Sequence, residues 1–246
     1  YRQRVIHSFN GMAASLIFYG MLTATFAWQV EQNIDRDLQA LKLPLPESEI
    51  TSSGWWETEW QNLPRERTHM QSVAAREFNF QFAGDPANFA QVLASHGWKP
   101  AEPANWRWIL LSINPEPTEF TLPPLKRDYL GHADISLLHR LDGDPSAQET
   151  IRLWDSGFRL KPGGQTVYLG QVDVEVLVQR LKVFSYWRAI PASEESLKLL
   201  EEEVQGLQTR RAADNLLLIR DPLRLQRPPE TGAALQSAIA NAPADR

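Results

Sequence analysis

The sequence predicts an α+β fold, a mainly antiparallel sheet with about two packed helices, preceded by one N-terminal transmembrane helix. Three observations carry that expectation. The run Asn10–Val30 holds no charged residue, a composition suited to hydrocarbon. Between Ala133 and Leu181 the chain is a succession of segments rich in β-formers and divided by turn chemistry. Two further segments, 86–95 and 194–207, space their apolar residues helically behind a capping side chain.

The first element is expected at residues 11–30. Twenty residues rising about 1.5 Å each span roughly 30 Å, the thickness of a bilayer core. Tyr19, Trp28 and the small residues Ala13, Ala14, Ser15, Gly20, Ala24 and Ala27 are usual in such helices, and no amphipathic stripe interrupts the run. The competing readings are a fully buried helix and the apolar region of a cleaved signal peptide ending near Thr25-Phe26-Ala27. Arg2, Arg4 and His7 precede the run, whereas Glu31, Asp35, Arg36 and Asp37 follow it. By the positive-inside rule the N-terminus is then cytoplasmic and the following domain lies outside, periplasmic in a bacterial inner membrane. Residues 1–10 are read as the cytoplasmic end of a truncated upstream region.

Glu31–Ala40 can continue the helix, and "LKLPLPESEITSSG" breaks it, so 31–54 is read as helix extension and linker. In "EFNFQFAG", Phe78, Phe80 and Phe82 alternate as on a half-buried strand. Asp85-Pro86 then opens a helix to Ser95 with Phe89, Val92 and Leu93 inward, and Gly97 stands at its αL terminus. "WRWILLSI" reads as a strand, and the loop from Pro115 to Pro124 is too proline-rich to be central in a sheet. "ADISLLHRL", "ETIRLWDSGFRL" and "QTVYLGQVDVEVLVQRL" form an expected antiparallel meander, the last two joined by "KPGG". Ser193 caps a helix whose stripe is Leu197, Leu200, Val204 and Leu207, and "NLLLIRD" adds a last strand. The domain is expected over 55–222, followed by a mobile tail, 223–246, rich in Arg, Pro, Ala and Gln.

Composition narrows function. With 25 basic against 30 acidic residues the net charge is −5, which offers no footprint for nucleic acid. The absence of cysteine removes disulfides, thiolate catalysis and Cys-ligated zinc. No Gly-x-Ser-x-Gly, Walker loop or dinucleotide fingerprint occurs. No cofactor is expected.

"NLPRERT", then "REFNFQFAGDPANFAQVLASHGW", the proline-rich loop, "ETIRLWDSGF" and "VYLGQV" together resemble the LssY C-terminal domain family, over about Trp55 to Pro222. Asn79, Gln81, Ala83 and Gly84, the Gly97-Trp98 pair and Arg152-Leu153-Trp154 carry the resemblance. It implies that the domain follows DedA-like or PAP2-type membrane regions in a lipid phosphatase. The PAP2-type motifs Lys-x6-Arg-Pro, Ser-Gly-His and Ser-Arg-x5-His-x3-Asp are missing from this chain, the nearest echo being Leu130-Gly131-His132. The resemblance therefore implies an accessory or binding module whose partners are membrane lipids, through residues 11–30, and an upstream membrane domain of the same protein.

Two sites are candidates in the residues themselves. Lys126, Arg127, Arg140, Arg152 and Arg159 could hold an anionic lipid headgroup by bidentate guanidinium contacts, with Arg152 and Trp154 sharing one strand face; Arg152, Trp154, Arg140 and Arg127 are the expected ligand-binding set. Alternatively His132, Asp134 and His139 serve a phosphoester or lipid-headgroup hydrolase, two imidazoles and a carboxylate being a possible open zinc set. The odd separation of His132 and His139 puts them on opposite faces of an uninterrupted strand, so no metal is expected. Trp55, Trp56 and Trp60 either lie in the membrane interface or pack on the domain, and packing is preferred.

Overall fold

A computed structural model of the chain describes residues 12–26, 28, 29, 33, 40, 42–67, 76–102, 122, 124, 126–141, 146–180, 184–191, 193–213 and 215–222. Two compact units result, Tyr1–Leu43 and Pro44–Arg246. In the first, residues 12–26 form helix α1. Met12, Leu16, Ile17, Phe18, Tyr19, Met21, Leu22 and Phe26 on it are 56–68% exposed. The hydroxyls of Thr23 and Thr25 donate back to the carbonyls of Tyr19 and Met21, 2.7 and 2.8 Å, so the helix satisfies its own polar groups. No helix among the described residues is long and apolar enough to cross a membrane. Of the expected span over 11–30, residues 12–26, 28 and 29 are described, all of them helical.

The second unit is built on two long antiparallel strands, β9 (Ala147–Lys161) and β10 (Gln165–Arg180). They are joined through Lys161-Pro162-Gly163-Gly164, where both glycines have positive φ and Gly164 N–H donates to the Leu160 carbonyl at 2.9 Å. Each long strand carries two neighbours on its outer edge. β8 (Ser136–Leu141) and β1 (Ser48–Thr51) flank β9, the first antiparallel and the second parallel. β4 (Phe80–Ala83) and β11 (Phe184–Pro191) flank β10, both antiparallel. β13 (Leu216–Arg220) adds in parallel to β4, β12 (Gln208–Ala213) pairs with β13, and β5 (Lys99–Pro100) with β8. The sheet therefore has nine strands and is mostly antiparallel. Two hairpins stand apart from it, β2 (Glu66–Arg67) with β3 (Arg76–Glu77), and β6 (Asp128–Tyr129) with β7 (His132–Ala133).

Both sheet faces are covered. α3 (Pro86–Ala94) and α4 (Glu194–Glu203) pack Phe89, Leu93, Leu197 and Leu200 against Phe80, Phe82, Leu153, Leu217 and Ile219 on one side. α3 begins as its sequence dictates: Asp85 caps by accepting from Ala87 N–H at 3.0 Å, with Pro86 in the first turn. α4 starts at Ser193, whose hydroxyl accepts from Ser196 N–H, with Glu194 and Glu195 at its positive end. The other face buries Trp154, Leu160, Leu169, Leu216 and Leu218 beneath Trp55, Trp60, Leu63 and Tyr129. Trp55 belongs to the short helix α2 (Ser52–Glu57) and Trp60 to a 3-10 turn, Glu59–Asn62, so these two tryptophans pack on the domain.

Three expectations are corrected. The segment 31–54 is not all linker: Ser48–Thr51 joins the sheet as β1 and Ser52 starts α2. In β1 the single apolar residue, Ile50, is too short a pattern to announce a strand. Phe78 leaves the row of Phe80 and Phe82 and enters the opposite core, because the chain is not yet in β4 at that point. β4 is also buried on both faces rather than half-buried, since β13 and β10 enclose it and layers cover each side. β11 and β12 add to the expected strands, and "NLLLIRD" forms a strand as expected, lying between β4 and β12. The expected strand "WRWILLSI", residues 1–10 and the tail 223–246 lie outside the described residues.

Candidate functional site

Strand alternation sorts the side chains of β9. Gln148, Thr150, Arg152 and Trp154 point to one face, opposite Glu175, Asp173, Gln171 and Leu169 on β10. On β8, Leu141, His139 and Leu137 sit opposite the first three. The Trp154 end of this face is apolar core, and the other end is a buried network of charge.

Arg152, 1% exposed, donates from Nη2 to Glu175 at 2.7 Å and faces Asp134 at 3.5 Å. Arg127, from the segment entering β6, donates to the same Glu175 oxygen at 2.7 Å and to Asp173 at 2.8 Å. Gln148 donates to the second Glu175 oxygen at 3.0 Å, and Gln171 to Asp173 at 3.3 Å. Trp154 Nε1 donates to the Arg127 carbonyl at 3.1 Å, which fixes the backbone that carries this arginine. Arg67 donates to the Asp128 carbonyl at 3.0 Å, its guanidinium 5.6 Å from the Trp154 ring centroid. Arg67, not Arg152, thus makes the cation–π contact with Trp154.

Burial dominates the electrostatics here. It lowers Arg67 to about 10, helped by the neighbouring Arg127 charge. It pulls Arg152 below its ordinary value, opposed chiefly by Glu175. Asp134 is raised by burial against the attraction of Arg152, and His139 is lowered by burial against a hydrogen bond with Gln148.

A second network lies on the opposite face. Arg140 pairs with Glu149, Nε to Oε2 at 3.1 Å, and with Glu203 of α4. Its guanidinium lies 4.6 Å from the Trp98 ring centroid, and Trp98 Nε1 donates to Glu203 at 2.7 Å. Burial lowers Arg140, but the hydrogen bonds of Glu203 and Glu149 outweigh it and leave the group raised. Arg159 bonds both Asp155 oxygens, at 2.9 and 3.0 Å, on the more open end of β9.

The residues singled out by the sequence are therefore divided. Arg127, Arg152 and Trp154 come together, while Arg140 lies across the sheet. Each of Arg127, Arg140, Arg152 and Arg159 already holds a carboxylate of its own domain, so an anionic headgroup would have to displace one. Asp134 and His139 belong to the Arg152 face, whereas His132 sits in the separate β6–β7 hairpin opposite Tyr129, partly exposed. Among the described residues no group of three His, Cys, Asp or Glu is placed to hold a metal.

Sequence reasoning missed Asp173, Glu175, Gln148, Gln171 and Arg67. The pattern Gln171-Val172-Asp173-Val174-Glu175 was available, but polar alternation reads as a solvent face until pairing sets the arginines opposite it. The residues that carry the family resemblance are explained by architecture. Asn79 imitates a strand, donating to the Val172 carbonyl at 2.9 Å and accepting from Val172 N–H at 2.8 Å. Gln81 accepts from Trp55 Nε1 at 2.8 Å and donates to the Trp60 carbonyl at 3.1 Å, pinning the tryptophan segment to the sheet. A Cβ at Gly84 would lie 2.4 Å from the Phe82 ring, and Gly97 has φ +86° beyond the end of α3.

Residues 60–184 match the family model described as LssY C-terminus. No curated protein and no solved structure matches the chain. On that match, with the motif residues above holding its sheet together, the chain belongs to the LssY C-terminal family.

Proposed function

We propose that the chain is a membrane-held accessory and interaction domain on the extracytoplasmic side of a bacterial inner membrane, the C-terminal part of a PAP2- or DedA-like lipid-phosphatase protein. The observation that carries the reading is α1, whose large apolar side chains stay more than half exposed around the helix. Eight such side chains left in water are costly, and lipid removes that cost. The interior of the domain supports a scaffold in place of a catalyst. Its buried arginines are bound to its own carboxylates, and the residues typical of the family are used for pairing and packing. In this reading residues 11–30 contact lipid, the N-terminal end is cytoplasmic, and the sheet domain positions or modulates an upstream membrane domain.

The test is fractionation of cells expressing the full chain and a variant lacking residues 12–30. The full chain is expected in the membrane fraction after alkaline carbonate extraction, and its domain to be digested by protease added outside spheroplasts. The deletion is expected to be soluble. Full-length chain released by carbonate, or a domain protected from external protease, would sink the reading.

A further inference from the structure

Charge is unevenly spread along this acidic chain. Residues 176–193 hold Arg180, Lys182 and Arg188 and no carboxylate, although the net charge of the whole is −5. They build one end of the sheet. Pairing of β10 with β9 stops at Val176 opposite Ala147, whereas pairing with β11 continues to Arg180 opposite Phe184. Among the described residues the sheet beyond Val176 is therefore a two-stranded ribbon.

The two faces of this ribbon differ. On one, Ser185 and Ala189 are buried and Trp187 Nε1 donates to the Leu122 carbonyl. On the other, register sets Val174 opposite Ile190, Val176 opposite Arg188 and Val178 opposite Tyr186. All six keep access to solvent, Ile190 being 41% exposed. The core beneath α3 and α4 reaches Val172 on this face and goes no further along β10. Arg180 and Arg188 are exposed, and among the described residues neither is in an ion pair, unlike Arg127, Arg140, Arg152 and Arg159. The carboxylates nearest in sequence are engaged elsewhere. Glu175 points to the opposite face, held by Arg127 and Arg152, and Glu194 pairs with Arg211 at 4.0 Å.

An apolar stripe with a tyrosine, edged by cations, matches the boundary layer of an anionic bilayer. There aliphatic side chains leave water, tyrosine rests at headgroup level, and guanidinium groups meet lipid phosphate. A second copy of the chain is a poor occupant, since a self-complementary contact would bring like charges together. We propose that this ribbon face docks on an anionic lipid surface, with Val176, Val178, Tyr186 and Ile190 entering the headgroup layer and Arg180 and Arg188 on lipid phosphates. It is a lipid contact additional to α1, and it stands whether or not α1 crosses the bilayer.

The chain has no cysteine, so a single one can be labelled without background. The full chain carrying Val178→Cys with an environment-sensitive fluorophore is reconstituted into vesicles of phosphatidylcholine alone or mixed with phosphatidylglycerol. A Gln61→Cys label, on the exposed 3-10 turn near the other end of the sheet, is the control. In the mixed vesicles the label at 178 is expected to shift to the blue and to be quenched by lipids spin-labelled near the headgroup, while the label at 61 stays unchanged. High salt should reverse the shift. Arg180→Glu with Arg188→Glu should lower the ratio of docked to undocked label about tenfold or more; Arg180→Gln with Arg188→Gln repeats the test should the reversals disturb the fold. Carbonate extraction of the same vesicles judges α1 separately, and a chain that washes off is still mixed with vesicles to read the label. Four results overturn the proposal: no shift in mixed vesicles, an equal shift in phosphatidylcholine alone, an equal shift at position 61, or charge variants that shift like the parent. A shift that grows with protein concentration and needs no lipid also overturns it, and makes the face an interface between copies.

Discussion

Replacing Glu175 with Gln tests whether the buried network holds the sheet together. The glutamate is 1% exposed and accepts from Arg152 and Arg127, each at 2.7 Å, and from Gln148 at 3.0 Å. Gln keeps the shape but removes the charge, so each arginine bond falls from charge-assisted to ordinary strength, about 1 kcal/mol apiece. The new amide also faces the Gln148 amide, donor against donor, at about 1–2 kcal/mol. Asp173 and Asp134 still compensate the two arginines, which keeps the total near the low end for a broken buried pair, about 3 kcal/mol. At about 2–4 °C per kcal/mol for a unit of this size, the melting temperature should drop by about 6–12 °C. Urea unfolding followed by tryptophan fluorescence reads the same quantity through its midpoint. Arg159→Met is the control, since Arg159 and Asp155 are 37% and 27% exposed and the pair should be worth under about 1 kcal/mol. A Glu175→Gln loss no larger than the control's would refute the argument that the network bears on stability.

Other outcomes follow from single contacts. Gln81→Leu leaves Trp55 Nε1 without a partner, while the Trp60 carbonyl keeps the Leu63 N–H, and should cost about 1–3 kcal/mol in urea unfolding. Gly170→Ala puts a Cβ 2.2 Å from the Phe80 ring, so reduced soluble yield or a loss of about 1–3 kcal/mol is expected, whereas Gly163→Ala meets no atom within 4 Å and only its φ of +109° opposes it. His139 is held below its ordinary 6.5 by burial, so the unfolded chain binds the proton more readily. Stability from this group is therefore complete above about pH 6.5 and is lost as pH falls through the folded value; His139→Gln should flatten that part of a stability-against-pH curve. Trp98→Phe removes the bond to Glu203 while keeping most of the ring, and near 1–2 kcal/mol should be lost by thermal melting.

Whatever depends on neighbours along the chain is legible in the residues alone. Asp85-Pro86 and Ser193 start their helices because a side-chain oxygen meets an amide two or three residues on, a contact that needs no other element. Gly163-Gly164 turns because its φ values are open to glycine, and the meander that it joins is legible from alternation. The family resemblance was likewise readable from Asn79, Gln81 and Gly84 before their roles were known. Which strands meet is set by long-range pairing. β1 exists through pairing with β9, distant in sequence, and the placement of β13 beside β4 turned an apolar run into the interior of the sheet. The site depended on register in the same way. Glu175 lies opposite Gln148, and so within reach of Arg152, only because β10 pairs with β9 in one alignment. A slip of one residue would turn Asp173 and Glu175 to the face of Arg140 and Glu149. Charge along a strand is a local fact, whereas its burial and its partners belong to the sheet.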